Sequence, residues 1–278
     1  MSEKSQNVSL QLGQEYALAV HGFVFQCLSV RAFREIVLFC LDVGKPALSA
    51  KSAADSDLAA KFKPFAEVLA TIEKKLGREA VETLYGGVVT KKVLDARQAT
   101  DASTVVFSFS LLDALLDRLY ALALRANPDA QLEALGEKKV SITDLLKVPA
   151  PDLIQKKLQE HLGDFQEKSI RLKADRLYAA CKPSPKEVFM DGYSWEPTML
   201  EEFRDLRVSI VHGQHLGTPV EDPLKWAEYA FRTGCHFGAM VGRKCGLVAL
   251  AGDDFFADLT KQTAWSQPNS LPEQPQNP

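Results

Sequence analysis

Arg207 and His212 stand five residues apart in the stretch TMLEEFRDLRVSIVHG, Thr198 to Gly213, and form the pair in this chain best suited to chemistry on a phosphodiester. A guanidinium keeps its charge at any physiological pH, and its planar fork matches two phosphate oxygens. An imidazole titrates near neutrality and can take or give a proton. RNA cleavage without a metal needs a base for the 2′-OH, an acid for the leaving 5′-oxygen and positive charge on the pentavalent phosphate, and these two side chains cover those roles. DNA lacks the 2′-OH and is not cut this way.

The element that positions the pair is read from the same stretch. Thr198 and Glu201 have the spacing of a capping box, which predicts a helix starting there. Leu200, Phe203, Leu206 and Ile210 recur at helical spacing and predict one buried face. Gly213 is a natural place for the helix to loosen or stop. Positions five apart on an ideal helix differ by about 140°, so Arg207 and His212 do not share a face. The difficulty is relieved if the helix loosens at Gly213, or if two copies meet across a dimer axis and pool two Arg and two His in one cleft.

The spacing of Arg207 and His212 inside LRVSIVHG, behind a capped acidic turn and about ninety residues after a long apolar helix, resembles the R-x4-6-H motif of the HEPN (higher eukaryotes and prokaryotes nucleotide-binding) superfamily. The resemblance covers roughly residues 100–250. It implies an all-α helical bundle of HEPN type, a homodimer, and a metal-independent endoribonuclease, a hydrolase of a toxin–antitoxin or phage-defence system. Arg207 and His212 would be its catalytic residues and RNA its substrate. A cognate antitoxin or a nucleotidyltransferase is the further partner implied, with no cofactor and no metal. In active members the residue after the motif Arg is usually polar, whereas here it is Val208, with Ser209 polar on a different face. Inactive relatives keep the bundle for binding. The alternative is therefore a non-catalytic HEPN-like module that partners a nucleotidyltransferase or other defence protein.

Composition agrees with an ordinary globular protein. An apolar content of 46% is ample for a core, and a formal charge of −3 argues against non-specific coating of nucleic acid, so RNA contact needs a local basic surface. Five cysteines, odd in number and without a C-x-x-C pair, fit free thiols in a reducing compartment, and the expected location is cytoplasmic. The N-terminus lacks the basic and apolar regions of a signal peptide. Arg31, Arg34 and Glu35 interrupt the most apolar segment, Tyr16 to Leu41, which reads as a buried helix rather than a membrane span.

Along the chain, Leu10 to Leu41 reads as one or two core helices carrying Val20, Phe23, Val24, Cys27, Leu28, Phe33, Ile36, Val37 and Phe39, ended by Gly44 and Pro46. His21 within it reads as a satisfied structural residue. Pro64 to Leu76 and Arg78 to Tyr85 read as two short helices closed by a turn at Gly86-Gly87. Apolar density falls over Lys91 to Thr100, and the division drawn is an N-terminal helical region at 1–96, the HEPN-like bundle at 97–262 and a disordered Pro/Gln/Asn-rich tail at 263–278.

Asp101 or Ser103 is expected to cap a helix from Thr104 to Ala126 with a wide leucine face. Ser110, Asp113 and Asp117 form a narrow polar stripe on it. That stripe is either solvent-exposed or a carboxylate support, with Ser209, that orients Arg207 or His212. Residues 128–151 read as irregular, with a capping box at Ser141. Pro149 and Pro151 open a helix from Asp152 to Cys181 whose second half carries Lys168, Arg171, Lys173 and Arg176, which is either a solvated face or a track for RNA phosphates. Tyr193 and Trp195 either staple the motif helix or stack on a base. Asp222 and Pro223 start a helix that runs to about Lys244. Cys235, His236 and Cys245 lack the spacing of a zinc site, and His212 with His215 finds no further ligands. No strand alternation persists, so the expectation is all-α.

Overall fold

A computed structural model describes residues 3–49, 74, 78–136, 149–185, 187–190, 193–213 and 219–247. Among them are seven helices and no strand, so the chain is all-α: α1 (Glu3–Ser49), α2 (Arg78–Ala126), α3 (Pro128–Gly136), α4 (Ala150–Gln166), α5 (Ile170–Cys181), α6 (Pro197–Val211) and α7 (Pro223–Lys244). Of the expected Pro64–Leu76 helix only Lys74 is described, and it is helical; the capping box at Ser141, His215 and the tail at 263–278 lie outside the described residues.

The two longest helices run antiparallel, and ion pairs fix their register. Arg125 pairs with Glu15, Arg34 Nε lies 2.8 Å from Asp101 Oδ1, and Arg97 pairs with Asp42. Leu12, Tyr16, Ala19, Val20, Phe23, Val24 and Cys27 follow helical periodicity and are all buried, against α2 on one side and α7 on the other. Tyr16 donates its hydroxyl to the Gly238 carbonyl at 2.9 Å. At Gly234 an added Cβ would sit 2.3 Å from the Phe23 ring, so α1 and α7 approach closely because residue 234 has no side chain.

Several boundaries differ from the sequence reading. Gly44 and Pro46 lie inside α1 and Gly86-Gly87 inside α2. A helical glycine costs only about 1 kcal/mol, which a helix of 49 residues absorbs. The Lys91–Thr100 segment is likewise helical, and the division drawn at 96/97 falls in mid-helix. Residues of α1 and of the later helices belong to one hydrophobic core. Asp101 is no cap; it holds Arg34.

Phe33, Ile36 and Phe39 were expected in the core but are 61%, 61% and 67% exposed. This part of α1 runs beside α2, where Arg34 meets Asp101 and Asp42 meets Arg97. His21 is also exposed rather than within the core.

The single helix expected from Asp152 to Cys181 is two. α4 stops at Gln166, and Ser169 restarts the chain by accepting the Leu172 N–H on its hydroxyl at 3.4 Å. Asn127, read as a stop, also starts α3, its Oδ1 accepting the N–H groups of Asp129 and Ala130 at 3.1 and 3.3 Å. α6 begins without a capping box. Its first residue is Pro197, which needs no hydrogen-bond acceptor for an N–H it lacks, and Glu196 precedes it without a side-chain cap. Asp222 caps α7 as expected, its carboxylate accepting from Lys225 N at 3.0 Å.

Candidate functional site

α6 is seated by Leu200 and Phe203, both fully buried. The Phe203 ring meets Phe109 of α2 edge-on at 5.2 Å and stacks on Trp226 of α7 at 5.3 Å. Tyr229 donates its hydroxyl to the Glu196 carbonyl at 3.1 Å and fixes the start of the helix. Burial of aromatic area on this scale outweighs the missing cap and decides which face of α6 turns inward.

One turn after Phe203, Arg207 follows it inward. Its guanidinium carbon lies 5.8 Å from the Phe109 ring centroid, a cation–π contact, and its Nε is buried without a hydrogen-bond partner. Among the described residues no carboxylate pairs with it. His212 ends the helix on the other side: its N–H bonds to the Val208 carbonyl at 3.0 Å and its ring is exposed. Gly213 turns the chain away at φ 75°. Val208 and Val211, 36% and 52% exposed, share the outward side of α6 with His212. Within one chain, Arg207 faces in and His212 faces out.

The supporting residues are engaged elsewhere. Lys173, expected on an exposed basic track, is 1% exposed and reaches from α5 to α2, its Nζ 2.8 Å from Asp113 Oδ1 and 2.9 Å from Asp117 Oδ1. The Asp113 contact is a hydrogen bond; the Asp117 contact is an ion pair without hydrogen-bond alignment, which leaves Asp117 Oδ1 otherwise unpartnered. Burial pushes the Asp117 carboxyl above its ordinary value, with Lys173 pulling the other way. Among the described residues neither carboxylate pairs with Arg207 or His212. Ser209 donates its hydroxyl to the Leu206 carbonyl at 2.8 Å, so it too points back at its own helix.

Of the remaining basic residues, Lys168 is exposed and Arg176 half-buried. Arg171 is shared between Asp175 at 2.9 Å and Glu201 at 3.6 Å. Glu201, expected to close the capping box, thus faces α5. Lys173 thus leaves the basic track, and Arg171 is partly neutralised within it.

A second polar group centres on His236, which the sequence offered only as a zinc ligand of the wrong spacing. His236 on α7 is buried in a ring of aromatics, Tyr178, Phe189, Tyr193 and Phe237, with its Nε2 3.2 Å from the Tyr178 hydroxyl and Nδ1 without a partner. Burial pushes its imidazole down to about 4. Tyr193 and Trp195 pack into this cluster, Trp195 at 5.4 Å from Phe237 and Tyr193 sharing a 2.5 Å hydrogen bond with Thr233. Together they pack against α5 and α7 and are half-buried, rather than forming an exposed stacking platform. The available signal was the crowding of aromatics on both sides of the motif helix.

No described group of three or more His, Cys, Asp or Glu side chains is arranged to hold a metal ion, and no described helix is long and apolar enough to cross a membrane. No family model, curated protein or solved structure matches the chain.

Proposed function

We propose that the chain cleaves RNA without a metal, by a HEPN-type mechanism in which two copies pack α6 against α6 and join Arg207 of one copy to His212 of the other. The observation that carries this reading is Arg207 itself: a half-buried guanidinium with no carboxylate partner among the described residues, on a helix whose outward side bears Val208, Val211 and the exposed His212. Apolar side chains beside an exposed imidazole suit a two-fold contact. In the reaction His212 takes the 2′-OH proton, the 2′-oxygen attacks phosphorus, and the bond to the 5′-oxygen breaks. The protonated imidazole then gives that oxygen its proton. Arg207 holds the charge on the pentavalent phosphate, and a 2′,3′-cyclic phosphate is left.

A second reading rests on Lys173 and Val208. With Asp113 and Asp117 turned to Lys173, and no polar residue after Arg207, the same surface serves a non-catalytic binding module whose partner is a nucleotidyltransferase, a cognate antitoxin or another defence protein.

The test is cleavage of a mixed RNA in EDTA by the purified chain, with the ends analysed for 2′,3′-cyclic phosphate. Arg207→Ala and His212→Ala should each lose about two to four orders of magnitude in rate while folding and RNA binding persist. Equal cleavage by wild type and variants, or cleavage that EDTA abolishes, overturns the mechanism. RNA binding without cleavage by any of the three selects the module.

A further inference from the structure

α1 has two apolar faces, and only one of them is used by the core. Leu18 and Phe25 are 74% and 72% exposed, and Ile36 and Phe39 continue the same exposed side. Gly22, Ser29 and Ala32 fall between them, so the stripe recurs at alternating intervals of four and three residues over 18–39. That is the heptad period of a coiled-coil seam. At about 100° per residue the stripe lies opposite Val20, Phe23 and Cys27, which are buried against α2 and α7. From residue 18 to 40 no Asp, Glu, Lys or Arg falls within about 60° of its midline. A helix that is apolar on opposite sides is normally covered on both, and a stripe about 32 Å long is no scatter of single exposed side chains.

We propose that this stripe is the contact surface for a second copy of the chain, with α1 packing on α1 as a two-helix seam. This contact is separate from the α6 pairing proposed above and does not depend on it.

Area, shape and charge select this occupant. Leu18, Phe25, Phe33, Ile36 and Phe39 together offer roughly 600 Å² per copy, given that an aromatic side chain buries about 150–250 Å². Pairing two copies then removes about 1,200 Å² from water, which reaches the range of stable specific interfaces. The stripe also carries both knobs and holes. Phe25, Ile36 and Phe39 project, whereas Ser29 and Ala32 are small and nothing lies within 4 Å of the place a Cβ would take at Gly22. A surface with both is self-complementary, as a two-fold contact requires. A lipid surface would want free basic residues along the rim. The arginines beside the stripe are instead met by carboxylates, Arg31 by Glu35 and Arg34 by Asp101, each at 2.8 Å.

The experiment is sedimentation equilibrium of the full-length chain at micromolar concentration. Val208→Glu with Val211→Glu serves as the background, because it removes any contact through α6. In that background the chain should still sediment at twice the mass of one chain. Adding Phe25→Glu and Ile36→Glu should return it to a monomer with unchanged helical circular dichroism, since both side chains are exposed. The milder pair Phe25→Ala and Ile36→Ala should raise the dissociation constant at least about tenfold. A monomer in the background alone, or a dimer that survives both glutamates, overturns the proposal. Pelleting with phosphatidylcholine and phosphatidylglycerol vesicles that the two glutamates abolish gives the stripe to lipid and overturns it as well. Failure of the α6 reading shows separately, as a loss of RNA cleavage or of its rescue between variants, and leaves these masses unchanged.

Discussion

Lys173 on α5 and Asp113 on α2, sixty residues apart in sequence, meet at 2.8 Å with the ammonium 1% exposed. A lysine is rarely buried so fully unless anions meet it, and here Asp113 and Asp117 supply them. The cluster ties α5 to α2 next to Phe109, the ring under Arg207. Its geometry braces the floor beneath the motif helix.

Lys173→Ala should therefore destabilise the fold by about 3 kcal/mol, because it leaves two carboxylates facing each other in a partly buried site. The figure is held down by Asp113, which at 34% exposed keeps some hydration. Urea denaturation measures the loss. Replacing Lys173 with Met and both aspartates with Leu together should recover most of it. Since the ammonium is buried, Lys173→Gln should also leave the salt dependence of RNA binding unchanged in whatever fraction stays folded. A flattened salt slope with unchanged stability would return Lys173 to the phosphate track.

Protonation of His236 should weaken the fold in acid. Its buried imidazole is held at about 4, below the ordinary value near 6.5, so the unfolded chain binds the proton first as pH falls. The stability it lends is complete above about pH 6.5 and drains away as pH drops toward 4, to a total of roughly 3 kcal/mol. His236→Gln keeps a partner for the Tyr178 hydroxyl and cannot titrate. Urea midpoints measured from pH 7.5 to 4.5 should fall more steeply for the wild type than for this variant; parallel curves would contradict the assignment.

What was legible in the sequence was what local chemistry decides. Asp222 followed by Pro223 marks a helix start within a few residues, and the start is found there. The buried spacing of Leu200 and Phe203 needed only the period of a helix. Lys173 was not legible, because whether a cation on a basic helix faces water depends on carboxylates sixty residues earlier. The stripe of Asp113 and Asp117 signalled a missing partner without naming it. Gly86-Gly87 was over-read as a turn because glycine is only weakly averse to a helix, and Ser169 was missed as a cap because no Gly or Pro marks the break. The exposure of Phe33 and Phe39 is a property of tertiary packing rather than of apolar pattern.

Gly234 should tolerate no side chain. An alanine Cβ would meet the Phe23 ring at 2.3 Å and Leu115 Cδ2 at 3.1 Å, and Phe23 is itself buried, so its ring has no free space to enter. Gly234→Ala should cost about 1–3 kcal/mol despite the better helix propensity of alanine. Pairing it with Phe23→Leu should cost less than the sum of the two single changes, because the shorter side chain vacates the clash. Additive losses in thermal or urea denaturation would show that α1 and α7 do not meet at this point.

The composite site makes a prediction that no single-chain site shares. Arg207 faces Phe109 and His212 faces outward, so under the proposed arrangement each cleft takes its Arg from one copy and its His from the other. Arg207→Ala and His212→Ala homodimers each lack one of the two in both clefts and should be nearly inactive. Mixed after unfolding and refolded together at equal amounts, about half of the dimers pair one variant with the other. Such a dimer has one cleft missing both residues and one cleft with both intact, so the mixture should recover about a quarter of the wild-type rate. If Arg207 and His212 of the same chain served one cleft, every cleft in the mixed dimer would still lack a residue, and nothing would be recovered. Rates on a mixed RNA for each variant alone, for the two refolded together and for the two combined without refolding distinguish these cases. The last of these should stay inactive if subunit exchange is slow. Recovery confined to the co-refolded sample assigns the cleft to two chains, and its absence from a properly dimeric sample rules that arrangement out.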